Sequence, residues 1–200
     1  MFNTIVLAGG KALRLGRNKL TEQVGGKPLL SRVIDKLGEF DTGIIIVVGD
    51  GQDRGMFPAG DTIKVVADTY PGSGVLGGIY TGLTASNSFR NLVVAGDMPF
   101  LNTKLLKYLV SVSENYDVVI PRIGSFIEPL HAVYAKSCEP YIKAEIENGK
   151  RDIRGFFSQM KVRYVETREI DLFDPQHLSF FNINTVEDLE RARIIAEWEG

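Results

Sequence analysis

Glycines and cations follow the first apolar run of this chain. Residues 4–7 are a short hydrophobic stretch typical of a β strand, Gly9 and Gly10 come soon afterwards, and Arg14 and Lys19 follow. Glycines at the exit of a strand let backbone N–H groups approach an anion closely, and the two cations add positive charge there. We therefore expect a phosphate-binding loop at the carboxyl end of the first strand, where open α/β sheets bind ligands.

This loop matches neither of the two common nucleotide-binding fingerprints. It lacks the G-x-x-x-x-G-K-[ST] pattern, and it has no G-x-G-x-x-G that opens directly into a helix. The alternative interpretation of the loop alone is a glycine-rich turn that carries two solvated cations. Other polar residues along the chain bear on the choice between the two.

Asp97 is a second candidate, because it follows Gly96 at the end of the apolar run 92–95. A residue at that point is expected on the same edge of the sheet as the glycine loop. A single carboxylate there suits Mg²⁺, which binds to proteins through one or two carboxylates together with phosphate oxygens and water. The alternative is that Asp97 forms a turn or caps the next helix.

Asp68 also ends an apolar run, and a glycine-dense segment follows it. Glycines at positions 72, 74, 77 and 78 leave space for a flat base to lie against the backbone, whose N–H and C=O groups can then bind the base edge. The alternative interpretation is a flexible loop before a helix that Asp68 caps.

Three further polar residues occur late in the chain. Asn182 and Asn184 alternate, so in an extended segment they face the same side, where two amides can bind a heterocycle or a phosphate. Asn184 could instead be a turn residue before a helix cap at Thr185. His131 has apolar neighbours, which favours a histidine in the core or behind the site over a general base.

The elements that must position these residues alternate between strand and helix. Apolar or β-branched runs predict strands at residues 44–48, 63–66, 92–95, 118–120 and 130–134, with the fourth ending at Pro121. Helical spacing of apolar residues follows Pro28, Asn102 and Thr185. This order predicts an α/β fold with a mostly parallel, doubly wound sheet in one domain over residues 1–200. Residues 150–179 are interpreted as an insertion that covers one side of the site.

Composition excludes several classes of function. The net charge of -2 argues against non-specific binding to nucleic acid or to a membrane surface. The one cysteine excludes an internal disulfide framework and a cysteine-based zinc site. No apolar stretch is long enough to span a bilayer, and the first strand begins too early for a signal peptide, so a cytoplasmic location is expected.

Taken together and in order, the motifs resemble those of the molybdenum cofactor guanylyltransferase family. They are L-A-G-G-x-x-x-R-L-G-x-x-K, G-K-P-L, V-V-A-D, G-V-L-G-G-I, G-D-M-P-F, P-L-H-A-V-Y and F-N-I-N-T-V-E-D-L, and they extend from Val6 to Leu189. The resemblance implies a three-layer α/β/α, Rossmann-like fold of the nucleotide-diphospho-sugar transferase type. It also implies transfer of GMP from GTP to the terminal phosphate of molybdopterin with release of pyrophosphate.

The same resemblance implies a role for each matching residue. Nucleotide contacts fall on the residues that match the family's phosphate and base loops: Leu7, Ala8, Gly9, Gly10, Lys19, Asp68, Gly74, Leu76, Gly77, Gly78 and Asp97. Arg14, Lys19 and Asp97 would be catalytic, and Asp97 would also hold Mg²⁺. His131, Asn182 and Asn184 would lie on the molybdopterin side. Transient contacts with molybdenum-insertion proteins and apo-molybdoenzymes would follow.

Two segments depart from the family pattern. Val75 stands where a proline is common, with Ser73 and Gly74 as extra length before it, and Gly49-Asp50 stands where some relatives have an asparagine. Related readings are a molybdopterin cytidylyltransferase, a sugar-phosphate or phospholactate nucleotidyltransferase, or a non-catalytic nucleotide-binding module. Loss of Lys19 or Asp97 would favour the non-catalytic module, but both residues are present.

Overall fold

The computed structural model describes residues 2–9, 19–52, 55, 57, 58 and 60–198. Gly10 and Arg14, which the sequence assigns to the phosphate loop, lie outside the described residues. The strands are β1 (Phe2–Leu7), β2 (Gln23–Val24), β3 (Lys27–Pro28), β4 (Ile44–Val48), β5 (Ile63–Ala67), β6 (Arg90–Ala95), β7 (Val118–Ile123), β8 (Phe126–Ile127), β9 (His131–Ala135) and β10 (Val162–Glu166). The α-helices are α1 (Leu29–Gly38), α2 (Val75–Ala85), α3 (Thr103–Ser111), α4 (Glu139–Glu147), α5 (Thr167–Ile170) and α6 (Val186–Trp198).

The central sheet is mostly parallel, as predicted. Its order is β10-β7-β9-β6-β1-β4-β5, with β8 paired to β7 and a separate hairpin of β2 and β3. Along that order only β9 runs against its neighbours, so its first residue lies at the edge where the parallel strands end. The carboxyl ends of β1, β5 and β6 therefore share one edge with the start of β9.

Helices cover both faces of this sheet and make the predicted three layers. One core cluster joins α1 and α3 to one face, and a second joins α2 and α4 to the other. In β4 every residue is buried, as expected for an apolar strand inside a parallel sheet. A third, smaller cluster packs α6 against the β2–β3 hairpin and Phe100.

The predicted helix starts form as expected. The Asn102 side chain accepts hydrogen bonds from the backbone N–H groups of Lys104 and Leu105, at 3.0 and 3.1 Å, and so caps α3. Thr185 and Asp188 exchange side-chain to backbone bonds before α6, at 3.1 and 3.0 Å, as a capping box does. These caps fix where the segments after β6 and before α6 turn.

Two predictions about elements are wrong. Strand β7 continues through Pro121 to Ile123, because its pairing with β9 covers only Val118 and Val119 and the missing N–H is not needed on that side. Residues 150–179 are not an insertion over the site. They contain β10, which forms an edge of the central sheet, and a 3₁₀ helix (Ile153–Gln159) whose phenylalanines fill the core.

Helix α2 lies unusually close to β1. A Cβ added at Gly82 would be 2.4 Å from Cγ2 of Ile5, which is fully buried, so the glycine is required for this approach. The contact sets the distance between the helix and the sheet on the side that carries the candidate site.

We expect Gly82→Ala to lower the free energy of unfolding by about 1–3 kcal/mol, because the added methyl overpacks the helix–strand contact. The measurement is urea unfolding at neutral pH. Gly38→Ala is the matched control, since it is also a helical glycine but has no atom within 4 Å of its added Cβ. It should leave stability unchanged or raise it by up to about 1 kcal/mol. Equal effects of the two substitutions would contradict the packing argument.

Candidate active site

The predicted residues of the phosphate loop and of the strand ends meet around one crevice. A cavity of about 270 Å³ is lined by residues from the ends of β1, β4, β5 and β6 and from the start of α2, among them Leu7, Ala8, Gly9, Lys19, Asp68, Gly74, Gly78 and Asp97. A second cavity of about 660 Å³ shares Gly9, Asp68 and Gly74 with the first. The two cavities therefore adjoin and form one crevice at this edge of the sheet.

Gly9 allows the crevice to form at the end of β1. Its added Cβ would lie 2.8 Å from the backbone nitrogen of Gly49, so only a glycine fits against the end of β4. On the other side, the N–H of Gly96 donates to the carbonyl of Leu7 at 2.9 Å. Three neighbouring strand ends are thus held together at this edge.

Lys19 is held at the inner end of the crevice. Its ammonium group forms an ion pair with Asp97 and donates to the carbonyl of Ile183 and to Oδ1 of Asn184, both at 3.1 Å. The side chains of Lys19 and Asp97 are only 14% and 18% exposed, so solvent screens this pair weakly. One catalytic candidate thus contacts another, and Asn184, predicted on the acceptor side, contacts Lys19.

The segment that carries Asn184 is fixed by buried polar contacts. Asp174 accepts hydrogen bonds from the backbone of Leu178 and Ser179, at 3.2 and 2.8 Å, and is itself buried. The N–H of Ile183 then donates to the carbonyl of Asp97 at 3.1 Å. Because Ile183 is fully buried between two asparagines that remain partly or largely exposed, the predicted alternation is confirmed.

Asp68 is fixed through one oxygen only. Its Oδ1 accepts from the N–H of Tyr70 at 2.9 Å and from the hydroxyl of Thr81 at 3.1 Å. Thr81 is buried, accepts from the N–H of Thr69 at 3.0 Å and lies 2.8 Å from the Thr69 hydroxyl. When that hydroxyl donates to Thr81, the proton of Thr81 is directed to Asp68. Among the described residues Oδ2 of Asp68 has no hydrogen-bond partner, so it remains able to accept from a ligand in the crevice.

The glycines after Asp68 have different roles from those predicted. Gly77 and Gly78 are buried in α2, where an added Cβ would meet the Tyr70 carbonyl at 2.7 Å and the Leu7 side chain at 2.9 Å. They let the helix pack closely against Tyr70 and Leu7, and Gly78 also lines the first cavity. Open space lies instead at Gly72 and Gly74, whose positive φ angles favour glycine.

Leu76 and His131 lie in the interior. The Leu76 side chain is fully buried, so only its backbone is available to a nucleotide. His131 is also fully buried, its ring lies edge-on to Phe180, and neither ring nitrogen has a hydrogen-bond partner among the described residues. Burial lowers its pKa from 6.5 to about 3. This geometry fits the core interpretation of His131 and gives its side chain no surface on which molybdopterin could bind.

Sequence reasoning missed the far wall of the crevice. Asp50, Gln52 and Pro71 line the second cavity, and Gln52 Oε1 accepts from the N–H of Gly49 at 2.7 Å. The sequence after β4 reads as a polar surface loop. The rule that ligands bind at the ends of parallel strands could have identified it, because β4 ends at this edge too.

The described residues fit a metal ion that is bound jointly by one carboxylate of the protein and by phosphate oxygens of a ligand. No cluster of three or more His, Cys, Asp or Glu side chains in the described ranges could hold an ion by itself. Asp97 is a partly buried carboxylate at the inner end of the crevice, and such a carboxylate together with phosphate oxygens and water is the usual donor set for Mg²⁺.

Comparison with known proteins decides the family. Residues 4–164 match the model of the MobA-like NTP transferase domain. The chain belongs to this family. Two relatives of this MobA-like chain are named probable molybdenum cofactor guanylyltransferase. The one from Pelotomaculum thermopropionicum is 35% identical over 96% of this chain and 92% of its own, and the one from Methanosarcina mazei is 39% identical over 94% and 88%.

Solved structures agree with the MobA-like assignment. Molybdopterin-guanine dinucleotide biosynthesis protein A from Archaeoglobus fulgidus has a TM-score of 0.83 and 29% identity, with 98% of this chain and 99% of that chain covered. A Mycobacterium tuberculosis protein solved in complex with manganese has a TM-score of 0.67 and 14% identity, over 96% and 98% of the two chains, and shows the fold alone. The predicted fold and the predicted family are both confirmed. Within the described residues, no helix has the length and apolar composition needed to cross a bilayer.

The hydroxyl of Thr81 gives a test of the Asp68 geometry. We expect Thr81→Val, which keeps the shape and removes the hydroxyl, to weaken GTP binding by about 3- to 30-fold, because Asp68 loses a donor that fixes it. Calorimetric titration with GTP measures the effect. Thr84→Val on the same helix is the control, because Thr84 is exposed and donates to Glu139 instead. Unchanged GTP affinity in folded Thr81→Val would show that Thr81 does not orient Asp68.

The buried His131 predicts an acid-sensitive fold. Its folded pKa lies below its unfolded value of 6.5, so the unfolded state binds the extra proton, and stability falls as pH drops from about 6.5 toward 3. The slope is at most about 1.4 kcal/mol per pH unit. In urea unfolding at pH 7.5, 6.5 and 5.5, His131→Phe should flatten this fall. His177→Asn, which retains His131, should keep it. If the free energy of unfolding falls equally steeply with pH in His131→Phe and in the wild type, His131 is not the group that causes the fall.

Proposed function

We propose that this MobA-like nucleotidyltransferase transfers GMP from GTP to the terminal phosphate of molybdopterin. The products are pyrophosphate and molybdopterin guanine dinucleotide. The observation that carries the proposal is the contact of Lys19 with both Asp97 and Asn184. It joins the crevice at the strand ends to the segment 182–184, so a nucleotide and an acceptor bound on its two sides would meet there. The names of the relatives support the choice of guanine and of molybdopterin.

The reaction needs charge neutralisation more than a base. An oxygen of the acceptor phosphate attacks the α-phosphorus of GTP, the bond from that phosphorus to the α–β bridging oxygen breaks, and pyrophosphate leaves with the electron pair. A phosphate monoester is largely ionised at neutral pH, so no residue has to remove a proton. The main barrier is the repulsion between anions. A positioned ammonium group and backbone N–H donors lower it because they are oriented before the reaction begins.

In this proposal Lys19 and the backbone N–H groups of the glycine loop after β1 bind the phosphates of the nucleotide. Asp97 would hold the divalent metal, which we take to be Mg²⁺ and which would neutralise charge on the phosphate oxygens. Asp68 accepts hydrogen bonds from the nucleoside through its free Oδ2. Asn182 and Asn184 contact the acceptor side, and Gly10 and Arg14 complete the phosphate loop.

The biological setting is proposed on the same grounds. The chain acts as one catalytic domain in the cytoplasm, where its substrates are GTP and molybdopterin. Molybdenum-insertion proteins and apo-molybdoenzymes would be transient partners that deliver the acceptor or receive the product. Neither nucleic acid nor a membrane takes part in this reaction.

A panel of nucleotides with molybdopterin as acceptor tests the function through release of pyrophosphate. GTP should exceed ATP and CTP at least tenfold in kcat/KM, because a site built on paired hydrogen bonds rejects a base that leaves its groups unpaired. A preference for CTP would assign the chain to the cytidylyltransferases, and absence of turnover with every nucleotide would reject the proposed reaction.

Asp97→Asn should lower turnover by a factor of order 100 while leaving the fold intact, because the lost charge acts in the transition state.

A further inference from the structure

The ammonium group of Lys19 has three protons, and each has an acceptor in this structure. One acceptor is charged, the carboxylate of Asp97, and two are neutral, the Ile183 carbonyl and Oδ1 of Asn184, both at 3.1 Å. Neutral acceptors fix the direction of an N–H bond without cancelling the charge behind it. Two of the three N–H bonds of the ammonium group are therefore directed by neutral acceptors, and only the third points to a negative charge.

The backbone around Asn184 is itself held by hydrogen bonds. The N–H of Asn184 donates to Oδ2 of Asp188 at 3.0 Å, in the first turn of α6. The carbonyl next to it belongs to the fully buried Ile183, whose N–H is bound to the backbone of Asp97. The two neutral acceptors of Lys19 are thus adjacent in sequence and held from both directions.

This arrangement matters when Asp97 changes partner. Asp97 would hold the divalent metal in the proposed function, and the N–H of Lys19 that now points to this carboxylate would then be available for a phosphate oxygen. A lysine side chain has four rotatable bonds and loses them at an entropic cost when it binds a ligand. The bonds to Ile183 and Asn184 meet part of that cost in advance, because they keep the ammonium in place without Asp97.

We infer that Asn184 is a positioning residue for the nucleotide half of the site, acting through Lys19 before any acceptor is bound. The inference rests on the proposed function for its choice of ligand. It assigns Asn184 a role in binding triphosphate in addition to the acceptor role implied by its place in the chain. Its effect is specific to the phosphates, since Asn184 acts on the nucleotide only through the lysine.

The test is a double-mutant cycle on nucleotide binding, measured by calorimetry with Mg²⁺ and without molybdopterin. Asn184→Ala should weaken GTP about tenfold, as expected for the loss of a hydrogen bond to a charged group, and should leave guanosine within twofold. In a Lys19→Ala background the same substitution should change GTP affinity less than twofold, because its route of action is gone. Asn148→Ala is the control and should leave GTP affinity unchanged, since Asn148 is an exposed asparagine at the end of α4 that lines neither cavity.

A second variant separates geometry from charge. Asn184→Asp keeps the oxygen acceptor and adds a negative charge beside Lys19, so it should weaken GTP at least as much as Asn184→Ala and should also leave guanosine unchanged. The inference is overturned if Asn184→Ala binds GTP normally. It is also overturned if the loss is equal for guanosine, or persists in the Lys19→Ala background.

These outcomes differ from a failure of the proposed function. If the wild type binds another triphosphate in preference to GTP, guanylyl transfer is rejected. The cycle then runs with that triphosphate and its own nucleoside and still decides the role of Asn184.

Discussion

The active site depends on one partly buried ammonium group that must be surrounded by acceptors. Lys19 lies after the first strand, Asp97 after the sixth and Asn184 near the end of the chain, yet all three meet at distances of direct contact. A charge with little access to water is tolerated only when it is paired and hydrogen-bonded. The strand order, the capped turn after β6 and the anchoring of Ile183 to Asp97 all serve to bring these acceptors to one point.

The other half of the site depends on close packing. Gly9 lets the end of β1 touch the end of β4, and Gly77 lets α2 touch the carbonyl of Tyr70 and the carboxylate of Asp68. Through these contacts Asp68 is held by Thr81 on one oxygen and left available on the other. The two halves therefore depend on different interactions: charge pairing fixes Lys19 and Asp97, and steric fit together with a buried hydroxyl fixes Asp68.

The sequence was sufficient to locate the strand-end residues, because apolar runs followed by Asp68 and Asp97 place these carboxylates at one edge in any parallel sheet. It was not sufficient for contacts made far along the chain, such as the bond from Lys19 to Asn184. Local patterns also misled where tertiary structure decides. Pro121 would end β7 only if the strands on both sides were hydrogen-bonded to it, but β9 pairs only with Val118 and Val119. Gly78 lies in a helix that packs on Leu7, whereas the sequence alone suggests an open loop. The edge strand β10 has half-buried side chains and therefore no continuous apolar signal.

Gly77, Gly78 and Gly82 hold α2 against Tyr70, Asp68, Leu7 and Ile5. The segment 71–74 that precedes the helix is joined to its surroundings by backbone bonds from Ser73 to the Tyr70 carbonyl and from Gly78 to the Gly74 carbonyl, at 3.1 and 3.5 Å. Under the proposed function this segment lies beside the nucleoside, whereas Lys19 and Asp97 are held by contacts that do not include it. Selection for a new nucleobase can therefore act on a few loop positions while the contacts of Lys19 and Asp97 are inherited unchanged, which makes the architecture readily reused for different nucleotides.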